Sequence, residues 1–263
     1  MSYLLAGQSS ELERLQLQAR VWEPAGRTLL AQIPPPQRTR ALDIGCGVLG
    51  WLRVLSEWTG PDGRVVGTDV EPKMLANAQT FVTTEALGNV DLVHDDVFAS
   101  ELSPASFDLV HARFQLAPLG RVEEQLAAFQ RLTKSGGWLV LEDPDIASWR
   151  VHPDAPALSR LVVLIEQGFV AAGGDFNAGR KLPDYLRSLG GEPRVAAHVV
   201  ALADGHPYLR LPLQFATSLR PRLESLVGAN ELERLMREAE VELTRPETWG
   251  TTFTLIQAYA RLP

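Results

Sequence analysis

Three glycines stand close together in the first third of this 263-residue chain, at Gly45, Gly47 and Gly50. They follow the apolar stretch ALDI and precede a stretch with helical periodicity, in the spacing G-x-G-x-x-G. Glycines so spaced allow a tight turn and a close approach of backbone to a ligand, and the helix behind them presents backbone N–H groups at its positive end. The stretch therefore predicts a site for an anionic group, either the pyrophosphate of a dinucleotide or the carboxylate end of S-adenosylmethionine.

Acidic residues follow two later stretches with strand character. Asp69 ends RVVGTD, where a carboxylate can accept hydrogen bonds from both hydroxyls of a ribose. Asp96 and Val97 come just after VDLV, where the carboxylate can bind an adenine amino group and the backbone N–H a ring nitrogen. Ligands of open α/β sheets bind at the carboxyl ends of the strands, so these positions predict an adenosine-containing ligand.

Predicted strands and helices must position these residues, and the two kinds of element alternate along the chain. The predicted strands are 41–44, 64–69, 90–93, 107–112 and 138–142, with helices at 48–58, 71–86 and 121–133 between them. Strands that alternate with helices imply right-handed crossovers and a mostly parallel sheet, and the nearly continuous apolar character of these strands agrees with burial on both faces. The fold class is therefore α/β.

The flanking segments carry further predictions. Pro24 is expected to begin a second short helix that ends at Pro34, and Ser135-Gly136-Gly137 is expected to be a turn. The later chain is predicted to form strands at 194–202 and 253–262 and helices at 158–169, 183–189, 212–227 and 230–240.

The motifs together resemble the class I S-adenosylmethionine-dependent methyltransferases of the small-molecule type. The segments that carry the resemblance are D-I-G-C-G, V-V-G-T-D-V-E-P-K-M-L, S-F-D-L-V and K-S-G-G-W-L-V-L-E-D. The likeness is strong over residues 38–143, moderate over 1–37, and limited to layout beyond them. It implies a Rossmann-like, doubly wound, seven-stranded and mostly parallel sheet, with an N-terminal helical lid and helical insertions.

The resemblance also implies roles in binding S-adenosylmethionine. Gly45 and Gly47 would approach the methionine part, and Asp43 would reach its ammonium group. Asp69 would hold the ribose, with Val70 beside it. On the adenosine side and at the end of the fourth strand, the implied contacts are Met74, Asp96, Val97, Ala112 and Arg113.

The N-terminal segment resembles the helix that folds over the cofactor in small-molecule methyltransferases. Tyr3, Arg14 and Gln18 are the residues expected to close the pocket. The predicted division is a lid at 1–37 and a Rossmann-like domain at 38–263, within which 145–190 and 204–248 cover the acceptor.

The sequence gives fewer signals for the residues that take part in the reaction than for those that bind the cofactor. Methyl transfer from a sulfonium is an in-line displacement that depends mainly on positioning, so a general base is optional. His111, Asp143 and Asp145 are weak candidates for one. Ala112-Arg113-Phe114 stands where catechol-type relatives place a metal-binding Asp, so no metal is expected.

The amino-acid composition limits the kinds of partner that we expect the protein to bind. The net charge is −7 and no run of Lys or Arg exceeds two, which argues against nucleic acid and against an anionic membrane. Cys46 is the single cysteine, and no signal peptide or membrane span is evident. We expect a cytoplasmic protein, a monomer or homodimer, that acts on a small organic acceptor, with secondary metabolites as one source.

Three alternatives remain open. A nicotinamide dehydrogenase can share the glycine spacing and the ribose acid, although the segments around Asp108 and Trp138 fit a methyltransferase better. A cyclase-type enzyme can retain the cofactor without methylating. A regulatory protein can bind the cofactor without turnover.

Overall fold

A computed structural model describes residues 9–263, with side chains from residue 14 onwards. Its ten strands are β1 (Arg40–Ile44), β2 (Arg64–Asp69), β3 (Val90–His94), β4 (Phe107–Arg113), β5 (Thr133–Asp145), β6 (Arg150–His152), β7 (Arg194–His198), β8 (Ala201–Leu202), β9 (Trp249–Thr251) and β10 (Thr254–Arg261). The α-helices are α1 (Ser9–Leu30), α2 (Leu52–Thr59), α3 (Pro72–Thr84), α4 (Leu116–Leu119), α5 (Val122–Leu132), α6 (Pro156–Ala171), α7 (Leu182–Ser188), α8 (Leu211–Ser218), α9 (Arg220–Val227) and α10 (Ala229–Leu243).

Seven strands form the main sheet, in the order β3-β2-β1-β4-β5-β10-β7. The five from β3 to β5 are parallel, and β10 is antiparallel to both β5 and β7. The chain order reverses between β1 and β4, which is where open α/β sheets bind their ligands. The predicted α/β fold with a seven-stranded, mostly parallel sheet is confirmed.

The N-terminal helix differs from the prediction. Residues 9–30 form one helix through Pro24, where two helices were expected. Proline removes one backbone donor from a helix and usually bends or breaks it. Trp22, Ala25 and Leu29 lie on both sides of Pro24 and are all buried, so packing of the whole helix face outweighs the missing hydrogen bond.

Several breaks between helices and strands in the later chain also differ from the prediction. The strand predicted at 194–202 is two strands, because β7 pairs with β10 whereas β8 pairs with β9 in a small separate sheet, β6-β9-β8. The helix predicted at 212–227 divides at Leu219, since Pro221 cannot donate the backbone hydrogen bond that would continue it. The predicted turn at 135–137 lies inside β5, beside a shift in the β4–β5 register.

A helical cap covers one end of the sheet. We use this name for α6, α8, α9 and α10, whose buried faces form a hydrophobic core with Trp22 of α1. Phe253, just before β10, and Trp149, just after β5, belong to the same core. Because β10 runs antiparallel to β5, both residues mark the carboxyl edge of the parallel strands, and the cap therefore lies over that edge. No helix within residues 9–263 is long and apolar enough to cross a membrane.

Candidate active site

The glycine loop connects β1 to α2 and is attached to the end of β2. The backbone N–H of Cys46 donates to the Thr68 carbonyl at 2.8 Å, and that of Gly47 donates to Asp69 Oδ2 at 2.9 Å. Gly45 has φ +62°, and a Cβ on it would lie 1.9 Å from the side-chain nitrogen of Gln115. Glycine is therefore favoured at Gly45 by its left-handed conformation, whereas the Gln115 side chain would have to shift to make room for a Cβ.

Gly50 is required for a different reason. Its φ is +38°, and a Cβ there would lie 2.2 Å from Asp43 Oδ2, the atom that accepts the Trp51 backbone N–H at 2.7 Å. We expect Gly50→Ala to lower the free energy of unfolding by about 3 kcal/mol, because it adds left-handed strain and breaks a charged hydrogen bond. Urea unfolding measures this. Gly47→Ala is the matched control, since Gly47 has φ +56° but open space where its Cβ would stand, and it should cost only about 1 kcal/mol. Equal losses in the two variants would contradict the role of Asp43.

Asp69 holds the loop and the start of α3 together. Besides accepting from Gly47, it accepts the backbone N–H of Glu71 at 2.9 Å through Oδ1. Burial raises the pKa of the Asp69 carboxyl, and the two backbone N–H groups partly oppose that rise. A carboxylate offers about four lone-pair positions, so it can still accept hydrogen bonds from a ligand.

The residues predicted for the adenosine side lie around the ends of β2 and β3. Asp69 pairs in register with His94, and the Asp95 N–H donates to the Asp69 carbonyl at 3.2 Å. Asp96 is exposed and accepts the Phe98 N–H at 2.9 Å, which fixes the turn that contains Val97. Val70 is exposed, whereas Met74 is buried in the first turn of α3. Their contacts with adenosine remain a prediction.

Arg113, at the end of β4, points toward the glycine loop. Its side chain is buried, Nη2 donates to the Gly50 carbonyl at 3.2 Å, and Nε lies 3.9 Å from Glu142 Oε2. Nη1 is buried and has no hydrogen-bond partner in the described part of the chain. A buried donor without an acceptor is costly, so this atom indicates a place for an anionic ligand group beside the loop. Ala112, its neighbour, is buried in the sheet core.

A buried ionic triad lies beneath the loop. The His111 ring contacts Asp43 Oδ1 through Nδ1 at 2.7 Å and Glu142 Oε2 through Nε2 at 3.1 Å. All three side chains are almost fully buried, and Trp51 stacks on the imidazole with 3.8 Å between ring centroids. Because both ring nitrogens face carboxylates, the geometry favours the doubly protonated imidazolium.

The triad continues across the sheet. Gln257 of β10 donates to Glu142 Oε1, and its own carbonyl oxygen lies 2.8 Å from Nε2 of His198 on β7. Five neighbouring strands, β1, β4, β5, β10 and β7, thus contribute one side chain each to a continuous hydrogen-bonded chain. We call these five residues the cross-sheet network. It joins the backbone of the glycine loop to the edge of the sheet.

The charges of the network shift its pKa values in opposite directions. Burial disfavours the imidazolium, but the hydrogen bonds and charges of Asp43 and Glu142 outweigh it and raise the pKa of His111 above its ordinary 6.5. Burial likewise disfavours ionised Glu142, but His111, Arg113 and Gln257 lower the pKa of this carboxyl below 4.5. Asp143, which accepts the Ala117 N–H at 3.1 Å, has its pKa raised by burial to about 8.

These shifts predict a loss of stability in alkali. A group with a raised pKa stabilises the fold below its unfolded pKa and loses that contribution as the pH rises through its folded pKa. His111 and Asp143 both have raised values, and Glu142, which is lowered, contributes above about pH 4.5. We therefore expect the free energy of unfolding to fall from about pH 4 to about pH 8 because of Asp143, and to fall further above about pH 6.5 because of His111.

Asp143→Asn separates the two contributions. The amide mimics the protonated carboxyl, so this variant should be more stable than the wild type at about pH 9 and should retain only the part of the decline due to His111. Urea unfolding at several pH values is the measurement. A steeper decline in the variant would contradict the assignment of a protonated Asp143.

The three weak candidates for a base all have structural partners. His111, held as a cation, has no lone pair with which to accept a proton. Asp143 is buried and accepts backbone N–H groups at the start of α4. Asp145 forms two hydrogen bonds of 2.7 Å with Arg180, which are the main cause of its lowered pKa, and also accepts the Ala147 N–H. None of these three side chains both lies in a cavity wall and has a lone pair free to accept a proton.

A small aromatic cavity lies at the ends of β4 and β5. Its volume is about 30 Å³, room for no more than a few water molecules. Arg14 and Gln18 of α1 form one side of it, joined by a hydrogen bond of 3.2 Å. The remaining wall consists of Phe114, Ala117, Pro118, Pro144, Phe169, Phe176, Phe215 and Phe253. We call this the ring cavity. Tyr3, the third residue predicted to close the pocket, lies outside the described residues.

Several residues of the site, or the contacts that they make, were missed by the sequence analysis. Phe114 and Phe253 follow or precede strands as isolated aromatic residues, a pattern common in any core. Glu142, Gln257 and His198 offered a better signal, since each is a polar residue inside an otherwise apolar strand. A buried polar side chain requires a partner, so these three could have been recognised as members of a network.

Comparison with known proteins agrees with this geometry. Residues 41–137 match the family model described as a methyltransferase domain. A demethylmenaquinone methyltransferase of Listeria monocytogenes serotype 4a (strain HCC23) is 33% identical over 115 residues, which make up 43% of this chain and 48% of that protein. The chain thus aligns with about half the length of the curated relatives that it matches.

Solved structures resemble the chain over more of its length. The YcgJ protein of Bacillus subtilis superimposes with a TM-score of 0.59 at 15% identity, covering 91% of this chain and 99% of that one. A SAM-dependent methyltransferase from Aquifex aeolicus gives a TM-score of 0.55 at 19% identity, covering 74% and 93%.

The fold is therefore the Rossmann-like fold of class I methyltransferases. Residues 41–137, which carry the glycine loop and Asp69, are its methyltransferase domain. The match over this domain confirms the predicted resemblance to class I S-adenosylmethionine-dependent methyltransferases.

Proposed function

We propose that this protein transfers a methyl group from S-adenosylmethionine to a small organic acceptor bound in the ring cavity. The observation that carries the proposal is the position of the ring cavity next to the glycine loop, at the neighbouring strand ends of the same sheet edge. In the order β2-β1-β4-β5, the ribose acid belongs to the first strand, the glycine loop follows the second, and Phe114 and Pro144 of the cavity wall lie at the ends of the last two.

The residues present fit the cofactor. A Cβ at Gly47 would meet no described atom within 4 Å, so there is open space against the loop backbone. Arg113 Nη1 offers an unused donor for the carboxylate of the methionyl part. Asp69 lies at the strand end where the ribose hydroxyls are expected. We assign the methionyl part to the loop and the adenosine to the ends of β2 and β3.

The chain's own contribution is positioning and the exclusion of water. S-adenosylmethionine would supply a methyl group bonded to a sulfonium sulfur, and the electron pair of that bond would stay on the sulfur. The phenylalanines hold the acceptor in line and keep solvent away, which favours a displacement that disperses positive charge. Among the described residues that line the ring cavity there is no Asp, Glu or His, so the acceptor would lose its proton to bulk water, either before it binds or after the product leaves.

The lining favours a planar, apolar acceptor. Phe169, Phe176 and Phe215 form edge-to-face pairs with ring centroids 4.7–6.0 Å apart, an arrangement that can take up a further aromatic ring. The relatives are named for demethylmenaquinone, and a reduced naphthoquinone without a ring methyl is therefore the first acceptor to test.

The test has two stages. Titration calorimetry should show binding of S-adenosylmethionine and no binding of NAD; the reverse result would favour the dehydrogenase. Incubation with the reduced naphthoquinone should then release S-adenosylhomocysteine together with a methylated product. Phe176→Ala should abolish most of this turnover and leave cofactor affinity unchanged, since Phe176 lines the ring cavity and is not among the residues assigned to the cofactor.

The alternatives give distinct results. A cyclase-type enzyme would bind the cofactor and convert an acceptor without releasing S-adenosylhomocysteine. A regulatory protein would bind the cofactor and show no turnover with any aromatic acceptor. The oligomeric state stays a prediction, which sedimentation can measure.

A further inference from the structure

A second and larger cavity lies in the helical cap. Its volume is about 610 Å³, and its walls come from α1, α8 and α10. Thr217, Ser218 and Gln214 give it polar groups, and the charged side chains of α10 complete one wall. We call it the cap cavity. It lies away from the glycine loop, so the cofactor assignment above does not use it.

The two cavities adjoin. Arg14 lines both, and its guanidinium carbon lies 5.6 Å from the centroid of the Phe215 ring. Gln214 and Phe215 are consecutive residues of α8, the first facing the cap cavity and the second the ring cavity. One elongated molecule can therefore contact both, passing beside the Arg14 side chain.

The cap cavity contains an unused hydrogen-bond acceptor. Gln214 Oε1 is buried, and nothing in residues 9–263 donates to it. Buried polar atoms of this kind are normally satisfied, so an unsatisfied one in a cavity wall indicates a ligand that supplies a donor. An N–H or O–H group is what the oxygen requires.

The charges of the wall indicate that this donor is neutral. Arg210 forms an ion pair with Glu240 at 2.6 Å, and Arg237 lies 3.8 Å from Glu233. These two pairs compensate their own charges, whereas Arg14, the third arginine of the wall, adds a positive charge that disfavours a cationic donor. An amide or hydroxyl group can bind there without an uncompensated charge.

We propose that the acceptor is an elongated molecule, with an aromatic ring in the ring cavity and an uncharged, hydrogen-bond-donating extension that reaches Gln214 in the cap cavity. The proposal rests on the proposed function, because it takes the molecule in the ring cavity to be the acceptor. It makes Gln214 a specificity-determining residue at the far end of that molecule.

The test compares two probes by calorimetry, with S-adenosylhomocysteine present so that no turnover is needed. Both are amides of 1-hydroxy-2-naphthoic acid whose side chains have equal length; one chain ends in a hydroxyl and the other in a methyl group. The wild type should bind the hydroxyl probe about tenfold more tightly, the effect of one hydrogen bond to a buried acceptor. Gln214→Met, which keeps the shape of the side chain, should bind both probes with similar affinity.

Controls separate this proposal from the proposed function. Phe215→Leu should weaken both probes by a similar factor, since Phe215 lines the ring cavity, where the two probes are identical, and thermal unfolding checks that each variant folds. Equal affinity of the wild type for the two probes, discrimination retained in Gln214→Met, or binding of neither probe beside bound S-adenosylhomocysteine would overturn the elongated-acceptor proposal. Absence of methyl transfer with the probes bound as expected would instead count against the proposed function alone.

Discussion

Replacing His111 with leucine is expected to lower the free energy of unfolding by about 3–5 kcal/mol, the cost typical of removing one partner from a buried ionic group. The imidazolium lies between Asp43 and Glu142, and leucine would leave two buried carboxylates facing a hydrocarbon. The Trp51 ring would also lose its stacking partner. Urea unfolding of the two proteins at neutral pH measures the difference.

The pH dependence of His111→Leu gives a second readout. The pKa of the Glu142 carboxyl would rise once the imidazolium that lowers it is gone, so acidification should recover part of the lost stability as Glu142 becomes protonated. His198→Ala is the matched control, because it removes the half-buried histidine at the other end of the cross-sheet network and should cost about 1 kcal/mol. A loss of the same size in both variants would show that the triad has no special importance.

Asp69→Ala is expected to weaken binding of S-adenosylmethionine at least about 100-fold while the protein stays folded. Each hydrogen bond from a ligand hydroxyl to a carboxylate contributes about 1.5–3 kcal/mol, and two such bonds to ribose are expected. The same carboxylate holds the Gly47 N–H at 2.9 Å, so its removal also frees the glycine loop. Calorimetry with the cofactor, beside thermal unfolding, measures both effects.

Two further variants help to explain the loss of cofactor affinity expected for Asp69→Ala. Asp69→Asn keeps one oxygen that can accept from Gly47 but loses the charge, and we expect a loss of about tenfold. Asp91→Ala removes an exposed carboxylate on the adjacent strand β3 and should leave affinity unchanged. Wild-type affinity in Asp69→Ala would show that the ribose lies elsewhere.

The parallel half of the sheet could be predicted because local and global signals agree there. The strands at 64–69 and 90–94 are apolar runs bounded by turns, and their predicted ends differ from the structure by at most one residue. The cap could not be predicted in the same way. Pro24 and Pro221 present the same local signal, yet α1 continues through the first, whereas the second stands in the first turn of α9, just after a helix break.

One part of the candidate site could likewise be predicted from the sequence, and another part could not. Asp69 and the glycine loop follow from spacing along the chain, because a strand end and a turn are local features. The cross-sheet network depends on register: Asp43 lies opposite His111, and Gln257 lies opposite Glu142. Register between distant strands is set by the whole sheet, so the sequence could show the polar residues without showing which of them meet.

The continuity of α1 through Pro24 has a mechanical consequence. Leu29 and Leu30, after the proline, are packed into the core beneath the sheet, whereas Arg14 and Gln18, before it, form a wall of the ring cavity. The ring cavity is too small for an aromatic acceptor, so a wall must yield when one enters. The turn that lacks a backbone hydrogen bond lies between the half that packs beneath the sheet and the half that Trp22 holds in the cap core, so a movement of the cap can bend the helix there while its attachment to the sheet stays in place.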